Sequence, residues 1–157
     1  MTRKSFTLCL AAVALALAAL PAAAKPNLTG TWKMVPAKSD FGAMPAPTSY
    51  EQKIEHNDPD LKVTVAQKGA RGDQTNEFNY NTKGKETSNT MRGSALKSKA
   101  KWQGDVLMID SKLDIQGNVV SIADSYELAP DGNSLTVTRK MNTPNGDLNV
   151  KIVMEKQ

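Results

Sequence analysis

The chain has 157 residues, with twenty Lys or Arg against sixteen Asp or Glu, and only one Cys and one His. That length supports a core of useful size, while a single Cys and a single His exclude a disulfide-stapled scaffold and a metal site built from His and Cys ligands. The formal charge of +4 falls to +2 once residues 1–24 are set aside, because Arg3 and Lys4 go with them and no acid does. No basic run interleaved with aromatics remains, so nucleic acid is not an expected partner.

In chain order, residues 1–24 read as a secretory signal peptide. Arg3 and Lys4 supply the positive start, residues 8–20 a small apolar run, and Ala22, Ala23 and Ala24 the small-residue pattern of a cleavage site. The run is too short to span a bilayer comfortably and no second apolar segment follows, so no transmembrane anchor is expected. Cys9 lies inside this leader, which leaves residues 25–157 cysteine-free. The expected product is secreted or periplasmic, a single β-barrel domain that depends on its core rather than on a disulfide.

The first strand is expected at 28–34, where Leu28, Gly30, Trp32 and Met34 alternate with Thr29, Thr31 and Lys33. Residues 35–47 hold three prolines and a Ser39-Asp40-Phe41-Gly42 turn cluster and read as the longest loop. Nine further strands are expected at 49–56, 61–68, 75–80, 86–92, 95–102, 106–115, 119–128, 134–142 and 148–156. Their connectors carry Gly93-Ser94, Gly104-Asp105, Gly117-Asn118, Asp131-Gly132 and Asn145-Gly146, of which the last two have the signature of type I′ hairpins. No segment has helical periodicity. The expected fold is all-β, an antiparallel up-and-down barrel of about 8–10 strands, because closure removes the edges an open sheet would expose.

Alternation assigns an apolar inner face, on which polar residues are conspicuous. Two-residue turns at the connectors would set Asn89 opposite Ser98, Ser98 opposite Ser111, Ser111 opposite Asp124, and Asp124 opposite Arg139, all facing inward. A salt bridge between Asp124 and Arg139 follows, with hydrogen bonds expected from Ser111 and Ser98. Strand directions bring Trp102 to the same barrel end as Trp32.

Gly30-x-Trp32 opening the first strand of a small secreted barrel resembles the lipocalins and the wider calycin group, which includes fatty-acid-binding proteins and avidins. The resemblance implies a barrel closed at one end by Trp32, open at the other, and holding a small apolar ligand. It also makes Arg139 the position that matches the inward arginine packed over that tryptophan in lipocalins. The chain departs from the group in three places: the loop after the first strand is proline-rich instead of a helical lid, residues 149–154 lack the Arg-x-Tyr carboxylate clamp, and Thr-Asp-Tyr does not occur.

The function expected is a lipocalin-like barrel that binds a small, largely apolar ligand. Arg139, Asp124, Ser111, Ser98, Asn89 and Tyr126 would line the site, and Gly30, Trp32 and Trp102 would close the barrel. The alternative is a non-carrier module, envelope-associated or inhibitor-like, whose barrel is filled by its own side chains. The Asp124 and Arg139 pair has two readings, a register-fixing ion pair and a seat for a ligand carboxylate. Lys97, Lys99 and Lys101 project outward from one strand, either as a solvated face or as a contact for an anionic envelope surface. His56 has no second histidine or cysteine to work with, so neither an enzyme, nor a metal, nor a cofactor is expected.

Overall fold

The computed structural model describes residues 24–70 and 72–157; the expected leader lies outside them except for Ala24. Ten strands form one sheet: β1 Gly30–Met34, β2 Ser49–Asn57, β3 Asp60–Lys68, β4 Gln74–Asn81, β5 Thr87–Met91, β6 Ser94–Gln103, β7 Val106–Ile115, β8 Asn118–Leu128, β9 Ser134–Thr143 and β10 Gly146–Lys156. Their order is β4-β3-β2-β1-β10-β9-β8-β7-β6-β5 and the pairings are antiparallel, so each strand lies beside its sequence neighbour and β1 meets β10. The result is a nearly closed up-and-down barrel whose two sheet edges, β4 and β5, face each other.

Asn89 spans that gap. Its side-chain amide donates to the Asn79 carbonyl at 3.0 Å and its side-chain oxygen accepts from the Asn79 N–H at 2.7 Å, doing for two strands what a ladder rung would do. Below it, the Gly84 N–H donates to the Ala100 carbonyl at 2.8 Å and so carries the closure onto β6. The seam is therefore joined by one side chain and one bend rather than by a continuous ladder.

The turns correct two expected pairings. Between β5 and β6 the positive-φ pair is Arg92 and Gly93 (52° and 81°), and between β7 and β8 it is Gln116 and Gly117 (53° and 86°). These are the mirror-image two-residue turns, each starting one residue earlier than the sequence suggested, with a non-glycine in the first left-handed position. Moving a turn by one residue moves the pairing by two. Thr87 is therefore the partner of Ser98, Asn89 of Leu96, Ile122 of Ser111, and Ile109 of Asp124. Every side chain keeps its face through such a shift, which is why the inner-face assignment survives.

The two expected type I′ hairpins are also built differently. Gly146 pairs with Thr143, so Pro144 and Asn145 make the turn, and proline's fixed negative φ forbids the mirror-image form. Around Asp131 and Gly132 a four-residue loop is closed by the Ala129 N–H on the Ser134 carbonyl at 2.8 Å, and only Gly132 has positive φ. Its symmetry about 131–132 still places Leu128 opposite Leu135 and Asp124 opposite Arg139, as expected.

The long loop completes the wall. β1 ends where Pro36 begins a single 3-10 turn, Pro36–Lys38. Asp40 and Lys151 then exchange backbone hydrogen bonds of 2.7 Å along β10, and the Ser39 hydroxyl accepts from the Val153 N–H at 3.0 Å. Phe41 and Met44, further along the loop, pack against the core.

Candidate ligand-binding site

One end of the barrel is plugged by large, wholly buried apolar side chains. There Trp32 is wholly buried with Leu28, Leu107, Leu135 and Met154. Its indole N–H donates to the Leu28 carbonyl at 3.0 Å, and the Leu28 N–H in turn donates to His56 Nδ1 at 3.3 Å. His56 packs on Trp102 with ring centroids 5.9 Å apart, so both tryptophans belong to this plug. The cation over Trp32 is Lys156, its Nζ 5.5 Å from the ring, and not Arg139 as the lipocalin resemblance implied. Gly30 makes room for it: a Cβ there would come within 2.9 Å of Lys156 Cε, on a backbone at φ 154°.

Toward the middle of the barrel the lining turns polar. Arg139 Nε donates to Asp124 Oδ1 at 2.7 Å and Nη2 to Oδ2 at 2.8 Å, a bidentate fork across two neighbouring strands. The carboxylate holds the guanidinium well above its usual pKa. The pair is lopsided in exposure: the Asp124 side chain is 4% exposed and that of Arg139 29%. The acid is sealed into the wall, while the Arg139 side chain keeps part of its surface exposed and has three of its five N–H donors beyond those the acid takes.

All three tyrosines surround this pair. Tyr50 from β2, Tyr80 from β4 and Tyr126 from β8 are buried within the field of both Asp124 and Arg139, and burial pushes each phenol above its ordinary value. Gln52 joins them. Its Nε2 donates to the Tyr50 hydroxyl at 2.8 Å, and its Oε1 is buried with no partner among the described residues. An orphaned buried amide oxygen costs about 1–3 kcal/mol, so this ring has hydrogen-bonding capacity that no group among the described residues uses. The ring can hold an anionic group on Arg139 while accepting a hydrogen bond from a hydroxyl at Gln52.

The expected row of five separates into three parts. Asp124 and Arg139 form the predicted bridge. Ser98 and Ser111 are bonded to each other at 2.8 Å and give nothing to that bridge, because Ser111 sits one inward position above Asp124 on the shifted register. Asn89 is committed to the β4–β5 seam. Tyr126 lies within the ring as expected; Gln52 was missed, although it shares strand parity with Tyr50 and Ile54.

Val65, Met91 and Met141 are only partly buried, and Phe41 and Met44 from the long loop pack beside them. A crevice of about 90 Å³ leads between the loop and the neighbouring turns, lined by Phe41, Met44, Pro47, Gln67, Lys68 and Arg92.

No protein-family model matches the sequence, and no curated protein matches it. Among solved structures, a secretory abundant heat soluble protein of Ramazzottius varieornatus superposes with a TM-score of 0.64 at 18% identity, over 82% of this chain and 94% of the other. The zebrafish ileal bile acid-binding protein complexed with cholic acid gives 0.56 at 14% identity, over 83% and 98%. Secretory abundant heat soluble protein 4 of R. varieornatus gives 0.54 at 16% identity, over 83% and 94%. The fold is a calycin-like β-barrel. No helix among the described residues is long and apolar enough to cross a membrane.

Proposed function

We propose that this chain is a secreted or periplasmic barrel that binds a small, largely apolar ligand, with an anionic head group seated on Arg139 and the tail directed toward the end opposite the plug. The observation that carries the reading is the lopsided pair. Here the acid is sealed while the Arg139 side chain stays part-exposed, with three N–H donors to spare. The unpartnered Gln52 oxygen beside it and the half-buried methionines above it support the same reading. So does the bile acid that the zebrafish neighbour carries. The reading contains no catalytic step: Ser98 and Ser111 bond to each other, and His56 is engaged in the plug.

The test is titration with a fluorescent long-chain carboxylate. Saturable binding by the unaltered protein, lost in the double variant Asp124→Leu/Arg139→Met with the fold retained, is the expected result. Absence of binding, or equal binding by the double variant, overturns the reading.

The non-carrier alternative also has an observation in its favour. A cavity of about 960 Å³ lies against the outer face of the sheet rather than inside it, and Lys97, Lys99 and Lys101 line it. In that reading the outer face contacts an anionic envelope surface.

A further inference from the structure

The outer cavity has a composition that narrows its partner. Five lysines border it: Lys97, Lys99 and Lys101 from β6, Lys112 from β7 and Lys140 from β9. All five are exposed, and none is within an ion pair among the described residues. Lys97 and Lys112 stand directly opposite each other on paired strands, an arrangement that repels and that a sheet without a use for it would avoid. The trough exists because the outward residues of β8 between these lysines are Ser121 and Ala123, too short to fill the space. Three acids also line it: Glu86, Asp110 and Asp147, the last already holding the Asn142 amide at 2.8 Å.

From this we infer that the trough binds a linear polyanion of the phosphate-chain type. The inference rests on the outer-face reading given above and narrows it from a surface to a chain. The trough is concave, so a flat bilayer would bridge its rim and leave Ser121 and Ala123 untouched. Three strand steps separate Lys97 from Lys140, and four residues separate Lys97 from Lys101, so the cations spread over roughly 14 Å by 13 Å. A single phosphate reaches only a fraction of that span, whereas successive phosphates of one chain meet several lysines at once. The lining contains no arginine, whose planar fork suits carboxylates, and no aromatic side chain on which bases would stack. Lysine ammonium groups, which act as point charges, together with the Ser121 hydroxyl and the Asn149 amide suit the oxygens of a phosphate chain.

The test uses the full chain and labelled long-chain inorganic polyphosphate, with orthophosphate and anionic phospholipid vesicles as the other two probes. Polyphosphate is expected to bind saturably and to weaken with added salt, with orthophosphate showing no comparable affinity. The variant Lys97→Gln/Lys112→Gln should weaken the polyphosphate interaction by about tenfold or more. Lys53→Gln/Lys62→Gln, which removes the same charge from β2 and β3, should change it by less than about twofold. Equal weakening by both variants would mean that net charge alone is at work and overturns the site. If vesicles bind through Lys97 and Lys112 while polyphosphate does not, the chain proposal falls and the envelope-surface reading stands. If neither probe binds, both fall.

Discussion

The two ends of the barrel are made by the same strands and filled in opposite ways. At the sealed end Trp32, Leu28, Leu107, Leu135 and Met154 retain no exposed surface, and even the indole N–H of Trp32 is spent on a backbone carbonyl. At the other end Val65, Met91 and Met141 are half-buried, as Trp102 and Leu128 are at the rim of the plug, and two side chains of the proline-rich loop, Phe41 and Met44, pack against the core. Between them lies the polar ring, with the acid of its ion pair sealed and the base part-exposed. The contrast separates a plug of wholly buried side chains from an end whose apolar residues keep some exposed surface, and the plug's dense packing helps hold the register of the strands that carry both.

The largest test of that division is truncation at the plug. Trp32→Ala should cost about 3–5 kcal/mol, since it removes the largest fully buried side chain, while Met141→Ala at the mouth should cost about 1 kcal/mol. Urea midpoints of the two variants measure the difference, and comparable losses would erase the distinction between the ends. Next comes the asymmetry within the ring. Arg139→Met leaves a sealed carboxylate without a partner and should cost about 3 kcal/mol, whereas Asp124→Asn leaves a guanidinium that water still reaches and should cost about 1–2 kcal/mol. The opposite order would mean that the guanidinium, not the acid, is the sealed member.

The third test is alkaline. Tyr50, Tyr80 and Tyr126 are the chain's only tyrosines, and burial raises all three phenols in the folded state. Below the unfolded phenol value of about 10 both states are protonated and stability is unaffected; above it the unfolded chain ionises first, so stability falls as pH rises toward the folded values. The slope is about 1.4 kcal/mol per pH unit for each tyrosine. Phenolate absorbance should therefore appear together with unfolding, and phenolate in a chain that is still folded would show that the ring is wetter than its burial implies.

Much of this was readable without a structure. Period-two alternation marked ten strands and their inner faces, because a strand has only two faces and one of them must be apolar. The Asp124 and Arg139 pair was legible because the four-residue loop between their strands is symmetric about Asp131 and Gly132, whatever its turn type. The pairings of Asn89 and Ser111 were not, since Arg92 and Gln116 take left-handed positions that residue type alone would assign to glycine or asparagine. Gln52 lay at the right parity and carried a usable signal. Its orphaned oxygen did not, because whether a buried polar atom finds a partner depends on strands far apart in sequence.

What the sequence by itself determined is the alternation, the strand order that short connectors allow, and the residues that face inward. These follow from local geometry, which repeats every two residues and tolerates a misplaced turn. The tertiary structure alone decided that Asn89 would bridge the seam between β4 and β5, that Lys156 and not Arg139 would cover Trp32, and that a trough would open outside the barrel between Lys97 and Lys140. Each of these depends on the distance between strands brought together by closure, and closure is a property of the whole sheet that no single segment encodes.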